Sequence, residues 1–152
     1  MSETTERQRK PRFNHVAMSV AAELLSAAGR AELLRFYEDV FGWTEIPSLT
    51  EDEKRLVLQA YRGDQFVFLV ADPKPMTCPG MDHFGMSVGS LQELEGMLER
   101  ARKFKEQDDR VEIVERNTDD FKVLKLHNFY VRYRLPLMVE VQYYDWSASN
   151  MS

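Results

Sequence analysis

Cys78 is the only cysteine in the 152-residue chain. No intrachain disulfide can therefore form, which points to a reducing, cytoplasmic setting. Long apolar runs are also missing. No stretch approaches the ~20 residues needed to cross a bilayer, so a membrane partner is not expected. The opening SETTERQRKPR has no apolar core of the kind a secretion signal carries. Positive charge is not in surplus: the formal net charge is -5, and no basic stretch is interleaved with aromatics. Both observations argue against a nucleic-acid partner. Histidine is scarce as well, at three residues, which makes the placement of each informative.

Two of the three histidines occupy the same place in a phrase that the chain repeats. The first copy is Asn14-His15-Val16-Ala17-Met18-Ser19-Val20, and the second is Asp82-His83-Phe84-Gly85-Met86-Ser87-Val88. As strands, successive side chains point to opposite faces. His15, Ala17 and Ser19 then share one face, and Val16, Met18 and Val20 the other. In the second copy His83, Gly85 and Ser87 oppose Phe84, Met86 and Val88. Each strand offers an apolar face to a helix and a small or polar face carrying one histidine, with room for the imidazole to enter a cavity.

The remainder of each half follows the same order. Residues 1–11 read as a disordered arm. After the first phrase, a helix is expected over about 30–41, with Leu33, Leu34, Tyr37, Val40 and Phe41 on one stripe and Gly42 as its stop. Strands follow near Trp43–Pro47, Arg55–Tyr61 and Gln65–Ala71. Asp72–Gly80, with three prolines, is the hinge. In the second half Ser90 and Glu93 have capping-box spacing. They open a helix whose stripe is Leu91, Leu94, Met97, Leu98, Ala101 and Phe104. Strands are expected at Val111–Arg116, within Phe121–Arg134, and at Leu137–Tyr144. The fold class is α+β: two tandem strand–helix–three-strand modules (βαβββ), about 12–72 and 81–147. They form a single domain over 12–147 with a tail at 148–152, and their mixed sheets curve around a shared cleft.

The segments FNHVAMSV, LRFYEDVFGW, DHFGMSV and LMVEVQYYD together resemble the vicinal oxygen chelate superfamily. That superfamily includes glyoxalase I, extradiol dioxygenases, epimerases, fosfomycin-resistance transferases and bleomycin-resistance proteins. The resemblance runs from about Phe13 to Trp146. It implies metal ligands on the first and last strands of each module: His15, His83 and Glu140, the last also catalytic. Alternation independently turns Glu140 to the face of Met138, Gln142 and Tyr144. Phe68 stands at the matching place in module one, where glyoxalase I has a carboxylate. A set of two histidines and one glutamate suits Fe, Mn, Zn, Ni or Co with open positions. A metal-dependent isomerase, lyase, epimerase or dioxygenase acting on a small oxygen-rich substrate is the implied function. A metal-free sequestration protein of bleomycin-resistance type is the alternative. Relatives of this size imply a homodimer, and the ligands can meet within one chain or across two.

Other residues admit two readings. Phe68, Arg132 and Tyr133 are candidates for the substrate pocket. Arg132 could hold an anion bidentately, or simply pair with surface acids. Phe66 and Trp43 suit either a cleft lining or ordinary core. His127 reads as a base or, more readily, as an exposed strand-end histidine. Nothing nearby activates Cys78.

Overall fold

The computed structural model describes residues 10–147. It contains eight strands and two long helices: β1 (His15–Val20), α1 (Ala27–Phe41), β2 (Thr44–Glu45), β3 (Arg55–Gln59), β4 (Phe66–Ala71), β5 (His83–Ser87), α2 (Leu91–Gln107), β6 (Val111–Asp120), β7 (Lys125–Tyr133) and β8 (Met138–Asp145). They form two four-stranded sheets of matching order, β1-β4-β3-β2 and β5-β8-β7-β6. In each, the first strand runs parallel to the last and the remaining pairs are antiparallel. This is the expected pair of βαβββ modules. Of the arm assigned to 1–11, only the last two residues are described, and the tail at 148–152 lies outside the described residues. No described helix is long and apolar enough to cross a membrane.

Helix ends follow local chemistry. The Ser90 hydroxyl accepts from Glu93 N (3.1 Å), and the Glu93 carboxylate accepts from Gly89 N (2.9 Å). Two backbone donors at the start of α2 are thereby satisfied. Gly42 ends α1 at φ 74°, a left-handed conformation that glycine adopts without steric cost. α1 begins three residues earlier than expected because Ser26, not Gly29, sets its start: the Ser26 hydroxyl accepts from Gly29 N (3.2 Å). Gly29 serves another purpose. A Cβ there would lie 2.3 Å from the Leu24 carbonyl oxygen, so only glycine admits the preceding 3-10 turn (Ala22–Leu25) at that distance. β2 is short because Pro47 opens another 3-10 turn. β6 runs past its expected end at Arg116, since a register shift between Val114 and Asn117 lets the polar Asn117–Asp120 segment keep pairing with β7.

The helix-bearing faces of both sheets share one hydrophobic core. Phe36 and Tyr37 of α1 meet module two there. The Phe36 ring lies 4.7 Å from that of Tyr133 and 5.1 Å from that of Phe104. The Tyr37 hydroxyl donates to the Tyr133 carbonyl at 3.0 Å. Arg100 of α2 donates twice to the Val40 carbonyl, at 3.0 and 3.2 Å. At the margin, Asp108 accepts from Arg110 and from the Tyr133 hydroxyl (2.6 Å), and Arg110 also reaches Glu32 of α1.

Two outcomes follow for stability. Tyr37→Phe leaves the buried Tyr133 carbonyl without its partner and is expected to cost about 1–3 kcal/mol in chemical denaturation. For Asp108, the hydrogen bonds from Arg110 and then Tyr133 hold the carboxyl well below its ordinary value. A depressed folded pKa contributes stability fully above the unfolded value, roughly pH 4, and loses it as pH falls. Asp108→Asn should therefore be less stable than the wild type at pH 7, with the two converging in acid.

Candidate functional site

The faces opposite the shared core are those on which the repeated phrase places its histidines. The register aligns the two modules position by position. On β1 and β4, Ala17 pairs with Phe68; on β5 and β8, Gly85 pairs with Glu140. Phe68 is thus the positional counterpart of Glu140.

In module two the side chains converge. His83 Nε2 lies 2.9 Å from Glu140 Oε2. His83 Nδ1 lies 2.8 Å from the Met81 carbonyl oxygen, which can only accept, so Nδ1 carries a proton and Nε2 is the nitrogen that faces Glu140. An unprotonated Nε2 and a carboxylate oxygen at that separation repel unless a proton or cation lies between them. Glu140 is 5% exposed, and a buried carboxylate requires compensating donors. It has them: Asn128 Nδ2 (3.1 Å) and Gln142 Nε2 (2.6 Å) both donate to Oε1, leaving Oε2 to His83. The Tyr144 hydroxyl donates in turn to Gln142 Oε1 at 2.7 Å.

Tyr130, the cross-strand neighbour of Glu140 on β7, completes the group. Its ring stands edge-on to the His83 ring with centroids 5.0 Å apart. Burial first, then the Glu140 charge, raise its pKa above the ordinary value. Gly85 leaves open space opposite Glu140, with nothing within 4 Å of where a Cβ would stand.

His15 stands apart. Its ring stacks on Phe66 at 4.8 Å, and Nδ1 lies 2.6 Å from Asn14 Oδ1. It lines a cleft of about 530 Å³ between the modules with Phe66, Phe84 and Met86. Among the described residues no three His, Cys, Asp or Glu side chains are close enough to hold a metal ion together, so one chain brings His83 and Glu140 together without His15. The pair nonetheless fits a cation: an imidazole nitrogen and a carboxylate oxygen, both electron-pair donors, converge, and the Met81 carbonyl orients the imidazole through its other nitrogen.

The pocket candidates separate. Phe68 is half-buried on the open face of module one. Arg132 lies on the open face of module two, but its guanidinium is held by Glu112 (2.6 and 2.9 Å) and donates to the Pro136 carbonyl. Tyr133 is not a pocket residue. It is fully buried under the helices, because alternation along β7 puts it on the opposite face from Arg132, and its pKa is pushed up to about 12 by burial and by Asp108. Trp43 is also core, stacked on Tyr37 at 5.0 Å. His127 is not an exposed strand end: it is 7% exposed, stacks with Tyr143, and its Nδ1 meets the Thr118 hydroxyl at 2.8 Å. Asn128 is the site residue that the sequence reading misses. It lies an even number of positions from Arg132, so alternation alone places it on the site face.

No protein-family model and no curated protein matches the sequence. Solved structures do match in fold. A lactoylglutathione lyase from Agrobacterium tumefaciens superposes with a TM-score of 0.58 at 16% identity, covering 89% of this chain and 95% of its own. A glyoxalase/bleomycin resistance protein from Albidiferax ferrireducens gives 0.58 at 14%, covering 86% and 98%. A virulence protein from Salmonella typhimurium gives 0.57 at 18%, covering 91% and 100%. The chain has the glyoxalase/bleomycin-resistance fold, as its resemblance to the vicinal oxygen chelate superfamily implied.

Burial and the Glu140 charge both oppose ionisation of Tyr130. In an NMR pH titration its hydroxyl should ionise above the ordinary tyrosine value. In Glu140→Gln the midpoint should fall yet stay above that value, since burial is the larger cause.

Proposed function

We propose that the protein is a divalent-metal-dependent enzyme of the glyoxalase or dioxygenase type, acting on a small substrate through adjacent oxygens. Its centre would use His83 and Glu140 of one chain and His15 of a second copy in a homodimer. The observation that carries this reading is the convergence of His83 Nε2 and Glu140 Oε2 at 2.9 Å, with Nδ1 anchored on Met81. The trans arrangement is supported by the shared helical core. It turns the open face of each module away from its neighbour, where a second chain can meet it. β1 and β5, which carry the histidines, are both edge strands and so retain unpaired backbone groups.

A divalent ion (Fe, Mn, Zn, Ni or Co) in such a centre would polarise the substrate oxygens and stabilise the oxyanion or enolate that develops. The chain's own residues have distinct tasks. Asn128 and Gln142 keep Glu140 ionised and aimed. Tyr130, its proton retained by burial and by Glu140, can donate that proton to a substrate oxygen. Gly85 leaves the substrate room, and Phe66 and Phe68 of the facing module would exclude water.

Dialysed, untagged protein should take up close to one metal ion per site, and His15→Ala, His83→Ala and Glu140→Ala should each lose it. Mixing the His15→Ala and His83→Ala chains should restore roughly a quarter of the wild-type metal, because random exchange makes about half the dimers mixed and each mixed dimer holds one intact site. No restoration would remove the trans arrangement. A wild type that stays empty after metal is added would leave the metal-free binding protein.

A further inference from the structure

Three polar side chains stand in line along β8 on the site face: Glu140, Gln142 and Tyr144. Each is two residues on from the last, or roughly 7 Å at strand spacing, and they touch in sequence. Gln142 Nε2 donates to Glu140 Oε1 at 2.6 Å, and the Tyr144 hydroxyl donates to Gln142 Oε1 at 2.7 Å. While Glu140 is ionised, the row has one solution. A carboxylate only accepts, so the Gln142 amide must present its nitrogen. Its oxygen then faces Tyr144, which must donate. Every donor in the row is aimed toward Glu140, and hydrogen bonds in such a chain polarise one another.

The two amides that serve Glu140 Oε1 are held in different ways. Asn128 is 6% exposed, and burial keeps it in place with no partner on its Oδ1. Gln142 is only partly buried and has one more side-chain torsion than asparagine. A side chain with that freedom keeps a single orientation only where a contact opposes the others. Its backbone is fixed, because β8 lies between β5 and β7 and Gln142 pairs with Ser87 on one side and Asn128 on the other. What orients the amide at the end of the side chain is Tyr144. Tyr144 stands beyond the last residue that β5 pairs with and is 40% exposed. It lies at the margin of the face, two side chains away from where a cation would sit.

We infer that Tyr144 is a positioning residue of the candidate metal centre, acting only through Gln142. Its hydroxyl fixes the amide so that Nε2 stays on Glu140 Oε1, and the carboxylate then keeps Oε2 turned toward His83 Nε2. Partners of this kind, which orient a ligand without touching the metal, tune metal affinity. The inference rests on the metal-centre reading given above.

The test is calorimetric zinc binding by the full-length, untagged protein at one protein concentration. Tyr144→Phe, Gln142→Met and the double variant are compared with the wild type, and the metal-free samples are unfolded in denaturant alongside. Tyr144→Phe should weaken zinc roughly fivefold, the scale of one hydrogen bond, with the unfolding midpoint unchanged. Gln142→Met should weaken it by roughly tenfold, and Gln142→Leu serves where the methionine variant does not fold. In the double variant the tyrosine change should add nothing, because the amide through which it acts is gone. A merely structural role would shift the unfolding midpoint and cost the same in both backgrounds, and that result would overturn the inference. So would zinc binding by Tyr144→Phe equal to that of the wild type, which sinks this inference and spares the metal centre. No zinc uptake by the wild type sinks the centre and this inference with it.

Discussion

The packing of α1 against module two decides what the other surfaces can do. Phe36 and Tyr37 enter the core of the second sheet, and the Tyr37 hydroxyl caps a backbone carbonyl of β7. A half-sized module of about 60 residues buries only some 60% of its chain surface and is marginal alone. Joining two through their apolar faces yields one core of useful size. The same contact commits both helices to the interior. What remains outside is the side of each sheet where the repeated phrase places histidine and small residues.

Those two outer faces have the same backbone and different chemistry. Where module two has Glu140, module one has Phe68; where His83 meets a carboxylate, His15 stacks on Phe66. Burying a carboxylate needs donors on several sides. Module two supplies Asn128 and Gln142 as donors to one oxygen and turns the other toward His83. Module one has no carboxylate to solvate and fills the space with phenyl rings. In the proposed dimer a polar, preorganised face would stand opposite an apolar one with a single imidazole, and would hold a substrate by its oxygens at one end and enclose it at the other.

The repeat was the most legible feature of the sequence. Period-two alternation in the two phrases and around Glu140 predicted the sheet faces, and Ser90, Glu93 and Gly42 marked helix ends through chemistry that acts within four residues. Errors came where the decision was made at longer range. His127 reads as a strand-end residue until Thr118 and Tyr143 of neighbouring strands cover it. Tyr133 is the exception: one residue of separation from Arg132 sends it to the helix side, which alternation alone decides. The length of β6 depends on a register shift that no local pattern announces. Asn128 looked like an ordinary polar strand residue, because the carboxylate that orients it is twelve positions away and on another strand.

The split of the ligand set bears on how such a centre would be held. His83 and Glu140 give a cation two points of attachment, fewer than the three protein ligands usual at a catalytic zinc. A third donor from a second chain would then tie metal uptake to association. Linkage makes the tie reciprocal: whatever factor dimerisation adds to metal affinity, the metal adds to dimerisation. Edge strands such as β1 and β5 tend toward uncontrolled pairing unless something covers or charges them. In the proposed dimer the histidines beside those edges would make pairing productive in one register, the one that closes the centre. Phe68 fits the same logic, since an apolar counterpart to Glu140 leaves the facing module no carboxylate of its own to compete for the ion. In that dimer, the divergence between the two halves of the repeat would be what makes the association specific.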